Sequence, residues 1–131
     1  MANSICLDSD ILIDFLRNKK EAVDWIKQNE QNNTLATTII NVFELYSGAY
    51  KSNNSERGIA TIRNLIERLR ILSFSLDSAE RAGRENSRLE KEGIPVEKRD
   101  LFIGIIALNE GFSIKTNNKK HFLKIDGLKI V

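Results

Sequence analysis

Three acidic side chains lie in apolar surroundings in three separate parts of the sequence. Asp8 follows the apolar run 4–7, Glu44 lies within the apolar segment 39–45, and Asp100 precedes a third apolar run. Acids are rare beside a hydrophobic core unless they are paired with a cation or bind a metal. Because these three come from distant positions in one small chain, they indicate a shared cation. The leading interpretation is therefore a hydrolase that depends on a metal ion.

The side chains that accompany these acids narrow the choice of metal, because neither histidine nor cysteine belongs to the group. Mg²⁺ and Mn²⁺ prefer oxygen ligands, which carboxylates supply, whereas Zn²⁺ sites usually contain nitrogen or sulfur ligands. One or two such ions can activate water and neutralise the leaving oxygen when a phosphodiester is hydrolysed. The pattern therefore favours Mg²⁺- or Mn²⁺-dependent chemistry on a phosphodiester.

Each of the three acids also has a local structural explanation. Asp8 can cap the helix predicted to follow it, and Asp100 suits the positive end of its own helix. Asn41 and Glu44 have the spacing of a capping box. For any one acid taken alone the local explanation is favoured. The metal site is favoured because three separate segments bring acids to one edge of the predicted fold.

Other polar residues near the predicted site are given more ordinary roles. Asp10 and Asp14 are interpreted as solvated helix positions, with a supporting contact to Asp8 as the alternative. His121 is the only histidine; it is interpreted as structural, with contact to a phosphate as the alternative. Thr116 either orients a ligand at a strand end or is an ordinary strand residue.

Short apolar strands alternate with helices along the chain. We predict strands at 4–7, 34–38, 71–74, 112–116 and 128–131, and helices at 11–16, 21–28, 41–50, 56–70, 77–92, 99–110 and 119–123. Asp77 or Ser78 is predicted to cap the long polar helix. The alternation is typical of an α/β fold with a mostly parallel sheet. Ligands bind beyond the carboxyl ends of such strands, where both Asp8 and Asn118 lie.

The composition fits a single domain, 1–131, with 41% apolar residues and therefore enough core to fold without a disulfide. Cys6 is the only cysteine, which excludes an intrachain disulfide and is expected of a protein in the reducing cytoplasm. The first ten residues are too short and too acidic for a signal peptide. No stretch approaches the ~20 apolar residues of a membrane span, so no contact with a membrane is expected.

The net charge of +2 conceals an asymmetry along the chain. Residues 1–50 contain 7 acids and 4 bases, which leaves −3, whereas residues 51–131 contain 11 acids and 16 bases, which leaves +5. This distribution suits carboxylates that hold cations beside a surface that holds phosphates. Solvation of helix faces is the simpler explanation for most of these charges, including the helical row Arg81, Arg84 and Arg88.

Four segments, in order along nearly the whole chain, resemble the motifs of PIN domains of the VapC toxin type. They are 7–16, 37–49, 99–108, and 116–122 followed by Gly127 and Leu128. The resemblance implies a three-layer α/β/α PIN-like domain with a mostly parallel central sheet of four to five short strands. It also implies an Mg²⁺- or Mn²⁺-dependent endoribonuclease with RNA as substrate. Such a toxin forms a homodimer and is silenced by a cognate antitoxin protein.

The resemblance also assigns roles to individual residues. Asp8, Glu44 and Asp100 correspond to the three principal acids of the family and are predicted to be catalytic and to bind the metal. The family often places a fourth acid in the segment that holds Asn118 here, and amides also occur there. Asn118 is therefore carried as a weak metal ligand, because its carbonyl oxygen can contact an ion or hold a water ligand.

Two other functions remain open at this point. A catalytically weak or inactive PIN-fold module that binds RNA or protein is favoured by Asn118 in place of an acid, and opposed by the three acids that remain. A phosphoacceptor signalling domain would need an aspartate at the end of the third strand, and 71–75 contains none. The preferred RNA sequence is not readable, because phosphate contacts carry no base identity.

Overall fold

The computed structural model describes residues 2–131. The strands are β1 (Ser4–Leu7), β2 (Thr34–Thr38), β3 (Arg70–Leu72) and β4 (Ser113–Lys115). The helices are α1 (Ser9–Leu16), α2 (Lys20–Asn29), α3 (Ile39–Lys51), α4 (Ser55–Ile66), α5 (Leu76–Lys91), α6 (Lys98–Asn109) and α7 (Lys119–Phe122). No helix of this part of the chain is long and apolar enough to cross a membrane.

The four strands form one sheet in the order β3-β2-β1-β4, and every pairing is parallel. All carboxyl ends therefore meet at one edge, where Asp8 follows β1 and Thr116 follows β4. This confirms the predicted α/β fold with a parallel sheet. The predicted strand at 128–131 is wrong. The chain turns at Gly127, which has a φ of 83°, just before this segment, and the segment meets the sheet only at the bridge between Ile114 and Ile130.

The sheet is covered by helices on both faces, and the alternation along β1 shows how. Ile5 and Leu7 point into a core cluster built with residues of α1 to α4, such as Leu45. Cys6 points to the opposite face, where Ile106 of α6 packs. Successive strand residues face opposite sides, so a strand covered on both faces is apolar throughout. The result is the helix, sheet and helix layering that the sequence predicted.

The residues that cap two of the helices differ from those that the sequence suggested. The capping box at the start of α3 joins Thr38 and Asn41, because the Thr38 side chain accepts from the Asn41 N–H and the Asn41 side chain accepts from the Thr38 N–H. The alternative explanation of Glu44 as part of a capping box with Asn41 is therefore wrong, and Glu44 is free to face the sheet edge. At α5 the cap is Ser75, not Asp77 or Ser78, because the Ser75 side chain accepts from the N–H of Ser78.

Candidate active site

Asp8 is placed by the backbone at the point where β1 becomes α1. Its N–H donates to the carbonyl of Lys115 at 3.0 Å, and its side chain is fully buried. Oδ1 accepts from the Ser9 N–H at 2.8 Å, and Oδ2 accepts from the Thr116 hydroxyl at 2.8 Å. Asp8 is also the N-cap residue of α1. The Asp8 carboxylate therefore caps α1 and is also the one predicted to bind the metal.

A buried amide connects Asp8 to Glu44. The Asn41 Nδ2 donates to Asp8 Oδ1 at 3.1 Å and lies 2.9 Å from Ser9 Oγ, to which it also donates. The Ser9 hydroxyl in turn donates to Glu44 Oε1 at 2.6 Å. Neither Ser9 nor the amide of Asn41 was predicted to belong to the site. A signal was available, since both follow the ends of predicted strands, but polar residues are common at such positions.

Arg99 lies at the centre of the acids. Its Nη2 donates to Asp8 Oδ1 at 2.8 Å and its Nη1 to Asp100 Oδ1 at 2.7 Å. Its Nε and Nη2 donate to the two oxygens of Glu44, at 2.6 and 2.8 Å. Asp8, Glu44 and Asp100 are thereby brought together around one guanidinium. The shared cation that the acids indicated is, in this arrangement, a side chain of the protein.

The environment of Arg99 keeps it protonated. Burial by itself would lower the pKa of Arg99, but the hydrogen bonds to Glu44 and the charge of Asp8 outweigh it and raise that pKa above its usual value. Asp100 adds a further hydrogen bond in the same direction. Opposite charges at hydrogen-bonding distance favour the charged form. The guanidinium therefore remains a fixed positive charge among the carboxylates.

His121 reaches the same acids from α7. Its Nδ1 lies 3.2 Å from Asp100 Oδ2, and its side chain is 55% exposed, whereas that of Asp100 is 3% exposed. Asp100 is held in the first turn of α6, with Arg99 on one oxygen and His121 beside the other. The sole histidine therefore lies at the rim of the acid cluster, beside the exposed Lys119 and Lys120.

Asp10 is not the solvated residue that the sequence predicted. Its Oδ2 accepts from the Asn117 N–H at 2.9 Å and lies 3.4 Å from the Thr116 hydroxyl, so it ties α1 to the end of β4. Partial burial raises the pKa of Asp10, the bond from Asn117 lowers it, and the nearby charge of Asp8 raises it, with a net increase. Asp14 points elsewhere and pairs with Lys19 at 3.4 Å.

Asn118 stands at the start of α7 with an exposed side chain that makes no capping hydrogen bond. Its backbone N–H donates to Thr116 Oγ1 at 3.0 Å, and Thr116 donates to Asp8. The described contacts of Asn118 with the site therefore pass through its backbone. Its predicted role as a weak metal ligand through the side chain stays a prediction.

The chemistry of the donor set fits a hard divalent cation. Carboxylates of Asp8, Glu44 and Asp100 offer oxygen only. Cys6 is a poor competitor, because burial raises the pKa of its thiol and the charge of Asp8 adds to that rise. Within residues 2–131, however, no three acid, histidine or cysteine side chains surround a common point as ligands. The carboxylates instead surround the guanidinium of Arg99.

A substitution at Thr116 measures how much the polar network contributes to stability. We expect Thr116→Val to lower the free energy of unfolding by about 1–3 kcal/mol, because a buried oxygen of Asp8 loses its hydroxyl donor while the shape is kept. The control is Thr61→Val on the exposed surface of α4, where the hydroxyl bonds only to the Arg57 carbonyl. There we expect a change within about 0.5 kcal/mol. Equal denaturant midpoints for both variants would contradict the network.

Comparisons with known proteins agree with the fold. Residues 5–128 match the family model of the PIN domain. The tRNA(fMet)-specific endonuclease VapC of Salmonella typhimurium is 31% identical over 124 residues, which cover 95% of this chain and 93% of that protein. In the DNA-bound VapBC structure from the same organism, one chain is 29% identical with a TM-score of 0.88, over 100% of this chain and 98% of that chain.

A chain of a toxin–antitoxin complex from Klebsiella pneumoniae is 25% identical with a TM-score of 0.75, over 98% of this chain and 96% of that chain. The family model, the sequence relative and both structures therefore agree along nearly the whole length of the chain. The motifs around Asp8, Glu44 and Asp100 fall inside the matched residues. The chain belongs to the PIN-domain family, as a ribonuclease toxin of the VapC type.

Proposed function

We propose that this chain is an endoribonuclease whose divalent metal ion, Mg²⁺ or Mn²⁺, is held by Asp8, Glu44 and Asp100. The observation that carries the proposal is the convergence of three carboxylates, from three separate segments, at the carboxyl edge of the sheet. Such an edge is where parallel sheets bind ligands. The ribonuclease activity named for the VapC relative supports the same assignment.

Different residues of the chain would hold the ion and bind the RNA. Asp8, Glu44 and Asp100 would ligate the ion, which when bound supplies an activated water and neutralises charge on the phosphodiester. Ser9 and Asn41 orient two of these acids by hydrogen bonds. The exposed Lys119 and Lys120 at the rim would bind RNA phosphates, together with the exposed Lys124, whose ammonium group donates to the Pro95 carbonyl at 3.1 Å.

The proposals for the substrate and the partners are based on the related proteins. RNA is the proposed substrate, and the relative named for tRNA(fMet) makes transfer RNA the first substrate to test. A cognate antitoxin is the proposed protein partner, since the Klebsiella chain comes from a toxin–antitoxin complex. We further propose one domain over 1–131, a homodimer, and a cytoplasmic location, where RNA is abundant and the buried free thiol of Cys6 stays reduced.

A PIN-fold module with weak or no catalysis is the second candidate. It is favoured by one observation, the guanidinium of Arg99 at the centre of the acids, because a side chain there occupies the carboxylates that an ion needs. Retention of all three acids in one cluster opposes it. A single measurement distinguishes the two candidates: whether purified protein cleaves RNA when a divalent cation is supplied.

Removal of the metal tests the proposal directly. We expect purified protein to cleave transfer RNA in Mg²⁺ or Mn²⁺, to stop in excess chelator, and to recover when the cation is restored, because the ion supplies several kcal/mol of transition-state stabilisation. Product analysis on a denaturing gel measures cleavage. An Asp100→Asn preparation purified in parallel reports contaminating nuclease. Full cleavage by the wild type in chelator would rule out the metal mechanism.

A further inference from the structure

We propose that Arg99 is an internal counter-cation that competes with the divalent metal for the same carboxylate oxygens, so that metal binding must turn its guanidinium out of the acid cluster. The inference rests on the proposed metal site and adds a determinant of metal affinity to it. It assigns Arg99 as a positioning residue in the metal-free protein.

The hydrogen bonds of Arg99 cover the oxygens that an ion would need. The guanidinium donates to one oxygen of Asp8, one of Asp100 and both of Glu44, at 2.6 to 2.8 Å. Of the two remaining oxygens, Asp8 Oδ2 accepts from Thr116 and Asp100 Oδ2 lies 3.2 Å from the ring of His121. A cation of Mg²⁺ size needs close contacts at about 2.0–2.1 Å. The guanidinium fork occupies that space.

The charges at the site favour the exchange of one cation for another. Three carboxylates face a single guanidinium, so one positive charge offsets three negative charges. A dication offers twice the charge in a smaller volume and therefore attracts the same oxygens more strongly. The bidentate guanidinium holds the acids in place until that exchange, because its planar fork matches carboxylate geometry.

The exposure of the residues shows which of them can leave. The Arg99 side chain is 30% exposed, whereas the side chains of Asp8 and Asp100 are 0% and 3% exposed. The acids are fixed by strand ends and helix starts, but the guanidinium lies on a long side chain at the rim. Rotation about its side-chain bonds moves it toward solvent without moving the backbone. The released guanidinium remains beside the site, within reach of a phosphate.

A purely structural role for Arg99 predicts a different result. If Arg99 only joined three acids, its removal would lower stability equally with and without Mg²⁺ and would leave the affinity for Mg²⁺ unchanged. Competition predicts lower stability without metal, tighter Mg²⁺ binding, and a larger gain of melting temperature at saturating Mg²⁺. The larger gain of melting temperature follows from the tighter binding, because a ligand that binds only the folded state stabilises it according to its affinity.

Calorimetric titration of Mg²⁺ into the full chain tests the competition. We expect Arg99→Gln to lower the Kd for Mg²⁺ by at least about tenfold, because the ion then no longer has to displace a guanidinium from four hydrogen bonds with the same carboxylates. Arg99→Lys keeps the charge but loses the planar fork of donors. Its Kd for Mg²⁺ is expected to lie between those of the wild type and Arg99→Gln. The control is Arg68→Gln, which removes the same charge from an exposed pair with Glu30. An equal gain in Arg68→Gln overturns the inference.

A measurement on the wild type keeps the test valid if the Arg99 variants fold poorly. In the absence of metal, the Arg99 Nε–H donates to Glu44, so its proton resonance is expected to be shifted and protected from exchange with water. Saturating Mg²⁺ is expected to abolish that protection. An Arg99 Nε–H signal that remains unchanged at saturation overturns the inference.

The outcomes separate this inference from the proposed function. If Mg²⁺ binds equally to wild type and Arg99→Gln, and Asp100→Asn abolishes binding, the competition fails while the metal site stands. If neither wild type nor Arg99→Gln binds Mg²⁺, both proposals fail. A tighter Kd in Arg99→Gln, with no change in Arg68→Gln and with loss of the Arg99 Nε–H protection in the wild type, supports the competition.

Discussion

Replacement of Asp100 by asparagine is expected to reduce RNA cleavage by at least about a hundredfold while the protein stays folded. The expected loss follows from the several kcal/mol that a bound metal ion contributes to transition-state stabilisation, since each 1.36 kcal/mol is tenfold in rate. Asparagine keeps the shape of the side chain and can still accept from Arg99. Cleavage rates of labelled RNA, measured beside thermal unfolding, provide the test.

Asp100 is a better choice for this experiment than Asp8. Both oxygens of Asp8 accept hydrogen bonds from buried donors, so an amide there would place N–H groups against N–H and O–H donors and endanger the fold. The control is Asp24→Asn on α2, which removes the same charge from an exposed pair with Lys20. Cleavage by Asp100→Asn at half the wild-type rate or more would show that the site is misassigned.

Expression of this chain alone in a bacterial host is expected to arrest growth, and co-expression of the small open reading frame that neighbours its gene is expected to restore it. Growth arrest follows from uncontrolled RNA cleavage. Rescue follows if the product of that reading frame covers the acids, because a basic side chain of the partner would pair with Glu44 or Asp100 and exclude the ion. Colony counts after induction provide the measurement.

Two features make the growth experiment decisive. Asp100→Asn, expressed to the same level, is expected to be harmless without the partner, which separates toxicity from the burden of overproduction. Asp24→Asn is expected to be as toxic as the wild type. If wild type and Asp100→Asn are equally harmless when folded, the toxin assignment is contradicted and the PIN-fold binding module becomes the better description.

Asp8 and Asp100 could be singled out from the sequence because a buried carboxylate has apolar neighbours along the chain, whereas Glu44, 30% exposed, was singled out from the apolar segment that contains it. Asp8 and Asp100 have apolar neighbours since the strand and the helix that carry them pack into the core. Arg99 could not be predicted in the same way. An arginine before an acid at a helix start is ordinary, and its reach to β1 and α3 depends on how α6 packs against them. The roles of the acids themselves remain predictions.

The errors in the predicted helix ends and caps also have physical causes. The helix predicted to end at residue 70 ends at Ile66, and the apolar spacing continues only because Leu69 packs on the same core from the following turn. Asn41 was recognised as part of a capping pattern, but its partner is the preceding Thr38 and its amide also reaches Asp8. Local spacing does not show which of two possible partners a side chain meets.

Arg99 and Asp100 are neighbours in the first turn of one helix, and this adjacency governs the speed at which the site can respond. Because both residues lie on α6, movement of that helix as a rigid body leaves the guanidinium beside the Asp100 carboxylate. A shift of helices therefore does not prepare the site for an ion. Only rotation of one side chain is required. Free side chains at the surface rotate in picoseconds to nanoseconds, far faster than domain motions. Arg99 is only 30% exposed, so in the proposed exchange the delay before metal uptake is expected to be the lifetime of its four hydrogen bonds.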